Sequence, residues 1–136
     1  MRRGRGLCRK RAKSVRAGGS QLVGRHRGEV PRNLAALIGV DGVGRKTANV
    51  VLGNAFGLNV GVVVDTHVAR LSQRLGLTRE KTPEKIEQAL MKLVPCAEWT
   101  LFSHWLIWHG RRRCAARNPD CANCEISNSC PKIGLT

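Results

Sequence analysis

Four cysteines near the C-terminal end constrain this chain more than any other feature of its sequence. Cys114, Cys121, Cys124 and Cys130 follow a C-x6-C-x2-C-x5-C spacing within 17 residues. Four thiolates so close together can surround one tetrahedral zinc ion or one iron–sulfur cube. Zinc sites usually combine two closely spaced pairs, and only one such pair is present here. The pattern therefore favours a 4Fe-4S cluster over zinc.

A third arrangement of these cysteines, a pair of disulfides, requires an oxidising compartment. The basic N-terminus, MRRGRGLCRKRAKSVRAGG, is not followed by the apolar stretch of a secretory signal peptide. No window approaches the run of about 18 apolar residues that a membrane span requires. We therefore expect a cytoplasmic chain in which four cysteines bind a metal centre, while Cys8 and Cys96 are bystanders.

Positive charge is concentrated at the N-terminal end of the chain. The formal net charge is +15 over 136 residues, and residues 1–28 contain ten Lys or Arg and no acidic residue. Such an excess indicates a polyanionic partner, most simply nucleic acid. We divide the chain into a basic N-terminal segment (1–28), a core (29–110) and a cysteine loop with the C-terminus (111–136). The first segment could be a disordered basic arm.

The spacing of apolar residues predicts an all-α chain with almost no strand signal. A short apolar stretch covers Leu34–Ile38, and four longer helices follow it. We expect Gly57 to end the first of these, Pro95 the third and Gly110 the fourth. The longer helices are predicted over residues 45–56, 66–75, 82–94 and 98–109.

The glycine-rich segment 39–44 predicts a turn between the first two helices. Glycines in such a hairpin let the backbone approach a phosphate closely, and the amides that open the second helix face the anion. A Gly-x-Gly turn also joins ordinary helices. Here the turn is followed directly by Arg45, Lys46 and Thr47 in a strongly basic chain. This favours a hairpin that binds DNA phosphates without recognising the base sequence.

Two residues with reactive side chains lie near helix starts. Lys46 lies about 160° from the centre of its helix's apolar stripe, so it points away from the core. The positive end of the helix macrodipole disfavours its ammonium form, as a nucleophilic amine requires, although a solvated or phosphate-binding lysine is an equal alternative. Asp65 is expected first as the N-cap of the next helix. That role is compatible with stabilising positive charge on a sugar and assisting proton transfer.

Four segments in this order and at these separations resemble the endonuclease III family of the helix-hairpin-helix DNA glycosylase superfamily. They are LIGVDGVGRKTANVVL, VVVDTH, HGRRRC and the four-cysteine pattern, and the resemblance runs from about Arg9 to Pro131. It implies a partial helical barrel with a C-terminal 4Fe-4S cluster loop. It also implies a bifunctional DNA N-glycosylase and abasic-site lyase of base excision repair. Such an enzyme removes oxidised pyrimidines through a lysine Schiff base and β-elimination.

The resemblance also implies the roles of individual residues. Lys46 is the expected amine nucleophile, Asp65 the catalytic carboxylate, and the four cysteines the ligands of the 4Fe-4S cluster. The expected partner is double-stranded DNA with a damaged pyrimidine or an abasic site, bound by a monomer at the nucleoid. An adenine glycosylase of the superfamily would lack the lysine, whereas a pyrimidine-dimer glycosylase would carry both catalytic residues. The residues expected to bind DNA are Gly42, Val43, Gly44, Arg45, Thr47 and Arg117.

Two features depart from the family pattern. Asp41 stands where the hairpin usually has proline, which loosens the turn and places an acid beside the phosphate site. The family's helices ahead of the matched segment are missing, so we expect a fragment, or a start site inside a longer gene, with exposed apolar helix faces. The alternative function, from a different class, is a non-catalytic DNA-binding remnant that forms no competent lesion pocket.

Overall fold

The computed structural model describes the backbone of residues 5–135 and the side chains of residues 8–135. Over these residues the chain is helical and has no strand, which confirms the predicted all-α class. None of the described helices is both long and apolar enough to cross a bilayer. The helices are α1 (Arg5–His26), α2 (Leu34–Ile38), α3 (Arg45–Phe56), α4 (Thr66–Arg74), α5 (Pro83–Leu93) and α6 (Trp99–Arg112), with a 3-10 turn at Cys96–Glu98.

The chain divides into two compact units, one that ends at Gly57 and one that begins at Leu58. The first contains α1, α2 and α3, and the second contains α4, α5, α6 and the cysteine loop. The segment boundaries predicted after residues 28 and 110 do not coincide with this division. Packing does not test a functional division, so the three predicted segments stay a prediction.

Helix α1 carries most of the basic N-terminal segment. Residues 5–26 are helical, so a disordered arm is wrong for them, and residues 1–4 lie outside the described part of the chain. The side of α1 that is partly or fully buried includes Ser14, Ala17, Gly18 and Gln21. These residues are small or polar, and a search for large apolar residues at helical spacing does not detect them.

Helix α3 begins and ends where the sequence predicts. Gly44 is extended at the N-cap, and Gly57 adopts the left-handed region at the C-cap, with φ of +66°. Ala48 and Leu52 are completely buried. Lys46 is exposed, which confirms that its side chain points away from the core.

The core of the second unit is formed by α4, α5, α6 and the segment that leads into α4. Val62–Val64 is buried without forming a strand, and the amide of Val63 donates to the Ser103 hydroxyl of α6 at 3.0 Å. This bond satisfies a buried polar group that a strand partner would otherwise have to satisfy. The buried apolar residues of this core are Val62, Val64, Val68, Leu71, Ile86, Leu90 and Leu106.

Part of α6 is apolar and exposed. Leu101, Trp105 and Trp108 lie at i, i+4 and i+7 on one side of the helix, and each is about half exposed. The guanidinium of Arg112 covers the Trp108 ring at 4.2 Å from its centroid. These side chains are the exposed apolar helix face that the sequence leads one to expect.

Gly110 does not end the last helix, so that prediction is wrong. Helix α6 continues to Arg112 and carries Gly110 buried against α4. A Cβ atom at this position would lie 3.0 Å from His67 Nδ1 and 3.1 Å from Arg70 Nη2. Glycine is needed here because the two helices approach closely. A glycine near a predicted helix end suggests a cap, and only the packing shows the other role.

We expect Gly110→Ala to lower the free energy of unfolding by about 1–3 kcal/mol, because the added methyl group displaces the ring of His67 or the guanidinium of Arg70. Urea denaturation followed by far-UV circular dichroism measures this change. Gly19→Ala is the control, since a Cβ at this helical glycine of α1 meets nothing within 4 Å. It should stabilise the chain by about 0.5–1 kcal/mol. Equal effects of the two substitutions would contradict the close-approach role of Gly110.

Candidate functional site

The turn between α2 and α3 folds into a compact hairpin that packs on α1. The amide of Val43 donates to the carbonyl of Val40 at 3.0 Å. Gly42 has φ of +83°, a region that favours glycine. A Cβ on Gly42 would lie 2.7 Å from the Cβ of Ser14 on α1. Both its conformation and its close approach to α1 therefore require glycine at this position.

Asp41 is anchored through its backbone. Its N–H donates to the side-chain oxygen Oε1 of Gln21 on α1 at 2.7 Å. Proline has no N–H, so a chain with proline at this position could not form this bond. The bond offsets the loosening expected from the replacement of proline. The Asp41 carboxylate is exposed at the hairpin, where its negative charge is unfavourable for an anion.

The N-terminal end of α3 carries residues that the sequence assigns to DNA binding and catalysis. Gly44, at the N-cap, provides no side-chain hydrogen bond to the first turn. Because the first amides of a helix have no partner within it, those of Lys46 and Thr47 can bind an anion. The side chains of Arg45, Lys46 and Thr47 are exposed at this positive end of the helix dipole. The arrangement suits a phosphate group held by backbone N–H groups.

Asp65 is the N-cap of α4, as the sequence predicts. Its Oδ1 atom accepts hydrogen bonds from the amides of His67 and Val68, both at 2.8 Å. The side chain is half-buried at the start of the second unit, directly after the buried Val62–Val64. These two bonds fix the carboxylate in one orientation. Lys46 lies in the first unit and Asp65 in the second.

Arg70 connects α4 to α6 and to the first cysteine. Its Nη2 atom donates to the carbonyl of Gly110 at 3.1 Å and to that of Cys114 at 2.9 Å, and lies 3.2 Å from His67 Nδ1. The helix that Asp65 caps is thereby tied to the start of the cysteine loop. The sequence does not single out Arg70, because an arginine on an amphipathic helix is ordinarily a solvated residue.

The four cysteines of the predicted ligand set line one recess in the second unit. Cys114, Cys121, Cys124 and Cys130 are half-buried free thiols around it. The other two cysteines are free and exposed, so the structure pairs none of the six as a disulfide. The structure therefore places all four predicted ligands in the lining of the same recess.

Arg74 of α4 also lines this recess and was not selected from the sequence. Its Nη1 atom donates to the Cys114 sulfur at 3.1 Å and to the carbonyl of Ala115 at 2.7 Å, and Nη2 donates to Ala116 at 3.0 Å. The same contacts hold the backbone that leads to Arg117, whose side chain is exposed.

Charged residues surround the close cysteine pair. The ring nitrogen Nε2 of His109 lies 3.6 Å from the Cys124 sulfur. Arg113 forms ion pairs with Glu125 at 2.9 Å and Asp120 at 3.3 Å. The hydrogen bond from Arg113 lowers the pKa of the Glu125 carboxyl and raises the pKa of Arg113. Arg113 and Glu125 are therefore both charged at neutral pH. Their ion pair connects the residue that follows α6 to the part of the cysteine loop at Glu125.

Residues 2–96 match the family model described as the HhH-GPD superfamily base excision DNA repair protein. The chain belongs to this superfamily. Endonuclease III of Synechocystis sp. is 50% identical to it over 126 residues, which cover 93% of this chain and 58% of that protein. Endonuclease III of Escherichia coli K12 is 43% identical over 125 residues, with coverage of 92% and 59%. The resemblance to the endonuclease III family that the sequence indicates is confirmed.

Two solved structures have the same fold as this chain. A trapped endonuclease III–DNA covalent intermediate matches with a TM-score of 0.87 and 41% identity, over 93% of this chain and 60% of that one. A thermostable thymine-DNA glycosylase matches with a TM-score of 0.76 and 28% identity, with coverage of 93% and 60%. This HhH-GPD chain thus spans about three fifths of the length of these relatives.

Substitutions of Asp65 should distinguish the stability that its capping hydrogen bonds contribute from the stability that its negative charge contributes. Asp65→Ala removes the acceptor for two amides and should lower the free energy of unfolding by about 1 kcal/mol. Asp65→Asn retains an oxygen that can cap α4, so its change should stay within about 0.5 kcal/mol. Thermal denaturation of the two variants beside the unchanged protein measures both values. An equally large loss in Asp65→Asn would show that the negative charge, rather than the cap, stabilises α4.

Proposed function

We propose that this chain is a base excision repair enzyme, a bifunctional DNA N-glycosylase and abasic-site lyase that acts on oxidised pyrimidines in double-stranded DNA. The observation that carries the proposal is the exposed Lys46 in the first turn of α3, beside a hairpin whose amides suit a phosphate. Membership of the HhH-GPD superfamily supports it, as does a neighbour that is a trapped endonuclease III–DNA covalent intermediate. A primary amine placed beside a bound phosphate can reach the sugar of the same nucleotide.

The proposed reaction begins when the damaged nucleotide leaves the base stack. Nζ of Lys46 attacks the anomeric carbon C1′, and the bond from C1′ to the base breaks with its electron pair on the leaving base, which takes up a proton. The C1′–O4′ bond then breaks with its electron pair on O4′, which takes up a proton, and the nitrogen lone pair forms the Schiff base between Lys46 and C1′. Loss of a proton from C2′ then expels the 3′-phosphate by β-elimination, with the imine as the electron acceptor.

Asp65 is the proposed carboxylate of this reaction. Its Oδ1 atom accepts both capping bonds. The second oxygen, Oδ2, has no protein partner among the described residues and is left for the substrate. A carboxylate held in this way stabilises positive charge as it develops on the sugar and assists the proton transfers. Because an adenine glycosylase would lack the lysine, Lys46 favours the lyase over that alternative.

We also propose that the four cysteines hold a 4Fe-4S cluster. Four thiols around one recess are a ligand set for zinc or for such a cluster. Zn–S bonds of about 2.3 Å place the sulfur atoms about 3.8 Å apart. Among the described residues only His109, Cys124 and Glu125 bring three ligand atoms within 4.8 Å of one another, so no three cysteine sulfurs lie as close as zinc requires. This wider arrangement supports the larger cluster.

The cluster, when bound, would act as a structural cross-link between α6, the loop and the C-terminal segment. The loop from Cys114 to Cys121 carries Arg117, which is exposed and can reach a DNA phosphate. Arg74 already holds the first residues of this loop. The chemistry at the sugar is supplied by Lys46 and Asp65.

A borohydride trap tests the proposed nucleophile. The chain is incubated with a duplex that carries an abasic site or thymine glycol, and borohydride reduces any Schiff base to a stable covalent adduct. We expect an adduct with the unchanged chain and none with Lys46→Ala. Lys85→Ala is the matched control, because Lys85 is also exposed in the first turn of a helix, α5. It should form the adduct as the unchanged chain does.

The other possible outcomes of the borohydride experiment distinguish the alternatives. An adduct that persists in Lys46→Ala contradicts the assignment of the nucleophile. DNA binding without any adduct supports the alternative function, a non-catalytic DNA-binding remnant. A duplex with a pyrimidine dimer, tested in parallel, separates the remaining alternative, because that lesion would then give the stronger adduct.

Metal analysis tests the proposed cluster. The purified protein should contain about four iron atoms and an equal amount of acid-labile sulfide. Cys124→Ser should lose most of the iron, because it removes one ligand from the recess. Cys96→Ser should retain it, because Cys96 is an exposed thiol outside this ligand set. Stoichiometric zinc in place of iron would overturn the cluster.

A further inference from the structure

We propose that residues 10–15 of α1 and the hairpin form one continuous phosphate-binding surface, on which Lys10 and Arg11 neutralise DNA phosphates next to those at the hairpin amides. The inference rests on the proposed function only in that DNA is the partner. It adds two binding residues that lie outside the hairpin and outside the cysteine loop. Neither residue takes part in the chemistry proposed for Lys46.

The packing of the hairpin on α1 fixes the position of these two residues. Gly42 approaches Ser14, and the amide of Asp41 is bonded to Gln21 two turns further along α1. A Cβ on Gly18, between these two contacts, would lie 3.0 Å from the carbonyl oxygen of Asp41. The hairpin therefore lies along one face of α1. Residues of that face one turn before Ser14 therefore lie next to the hairpin.

Lys10 and Arg11 occupy this position. Together with Ser14, Val15 and Gly42 they line one shallow concavity in the first unit. At 100° per residue, Lys10 lies about 40° to one side of Ser14 and Arg11 about 60° to the other. The two side chains therefore flank the direction in which α1 contacts the hairpin.

Charge supports a polyanion as the occupant of this concavity. Both side chains are exposed, and neither forms an ion pair within the described part of the chain. Residues 1–28 contain no acid. The acidic side chain of the hairpin is Asp41, which repels a phosphate, and two cations beside it offset that repulsion. Each phosphate that they neutralise releases bound counterions from DNA.

A salt series tests the proposed surface. Lys10→Gln/Arg11→Gln removes both cations with little change in helix propensity. Arg9→Gln/Arg16→Gln is the matched control, since it makes the same charge change on α1 about 140–160° away from Ser14. Fluorescence anisotropy of an undamaged duplex, and of the same duplex with a stable abasic analogue, gives Kd over a range of salt concentrations. Circular dichroism verifies that both variants remain helical.

We expect the slope of log Kd against log salt concentration to decrease by about 1.8 for Lys10→Gln/Arg11→Gln, which is about 0.9 for each lost phosphate contact. Both duplexes should be weakened by the same factor, because phosphate contacts do not read the lesion. The control variant should keep the slope of the unchanged chain. An unchanged slope in Lys10→Gln/Arg11→Gln, or an equal decrease in both variants, overturns the proposal.

The result is independent of the borohydride trap. A chain that forms the adduct but keeps its salt slope in Lys10→Gln/Arg11→Gln retains the proposed function and loses this surface. A chain that shows the reduced slope but forms no adduct retains the surface and loses the enzymatic function. Absence of any DNA binding by the unchanged chain overturns both.

Discussion

The close contact between α4 and α6 at Gly110 is the constraint on which the rest of the second unit depends. Without a side chain at Gly110, the guanidinium of Arg70 can reach the carbonyls of Gly110 and Cys114. This contact sets where the cysteine loop begins relative to the helix that Asp65 caps. The proposed catalytic carboxylate and the proposed cluster ligands are therefore parts of one packed arrangement rather than separate sites.

A second glycine contact organises the first unit in the same way. Gly42 lets the hairpin approach Ser14, and the bond from Asp41 to Gln21 extends the contact along α1. Both glycines act through close approach, because an added Cβ would lie 3.0 Å from the nearest atom at Gly110 and 2.7 Å from it at Gly42. Lys10 and Arg11 of α1 gain their proposed role from this contact, because it places them beside the hairpin that is proposed to bind phosphate.

The sequence predicted a large part of the fold and of the site. Apolar periodicity gave α3, α4 and α5 nearly to their ends, and the Asp65 cap followed from its position before a helical pattern. The sequence did not predict that α1 is helical, because the buried face of this helix is made of Ser14, Gly18 and similar small residues. Arg70 and Arg74 were missed because an arginine has no local pattern that separates a buried donor from a solvated one.

The sequence by itself determined the all-α class, the superfamily, the exposed direction of Lys46 and the grouping of four cysteines. These properties depend on residue type and on spacing over one or two helical turns. Residues at such a spacing lie side by side on any helix, whatever the helix packs against. Only the tertiary structure decided that Gly110 is a packing residue, that Arg74 donates to the Cys114 sulfur, and that α1 supports the hairpin. Those contacts join residues far apart in sequence, and their geometry exists only once the helices have packed.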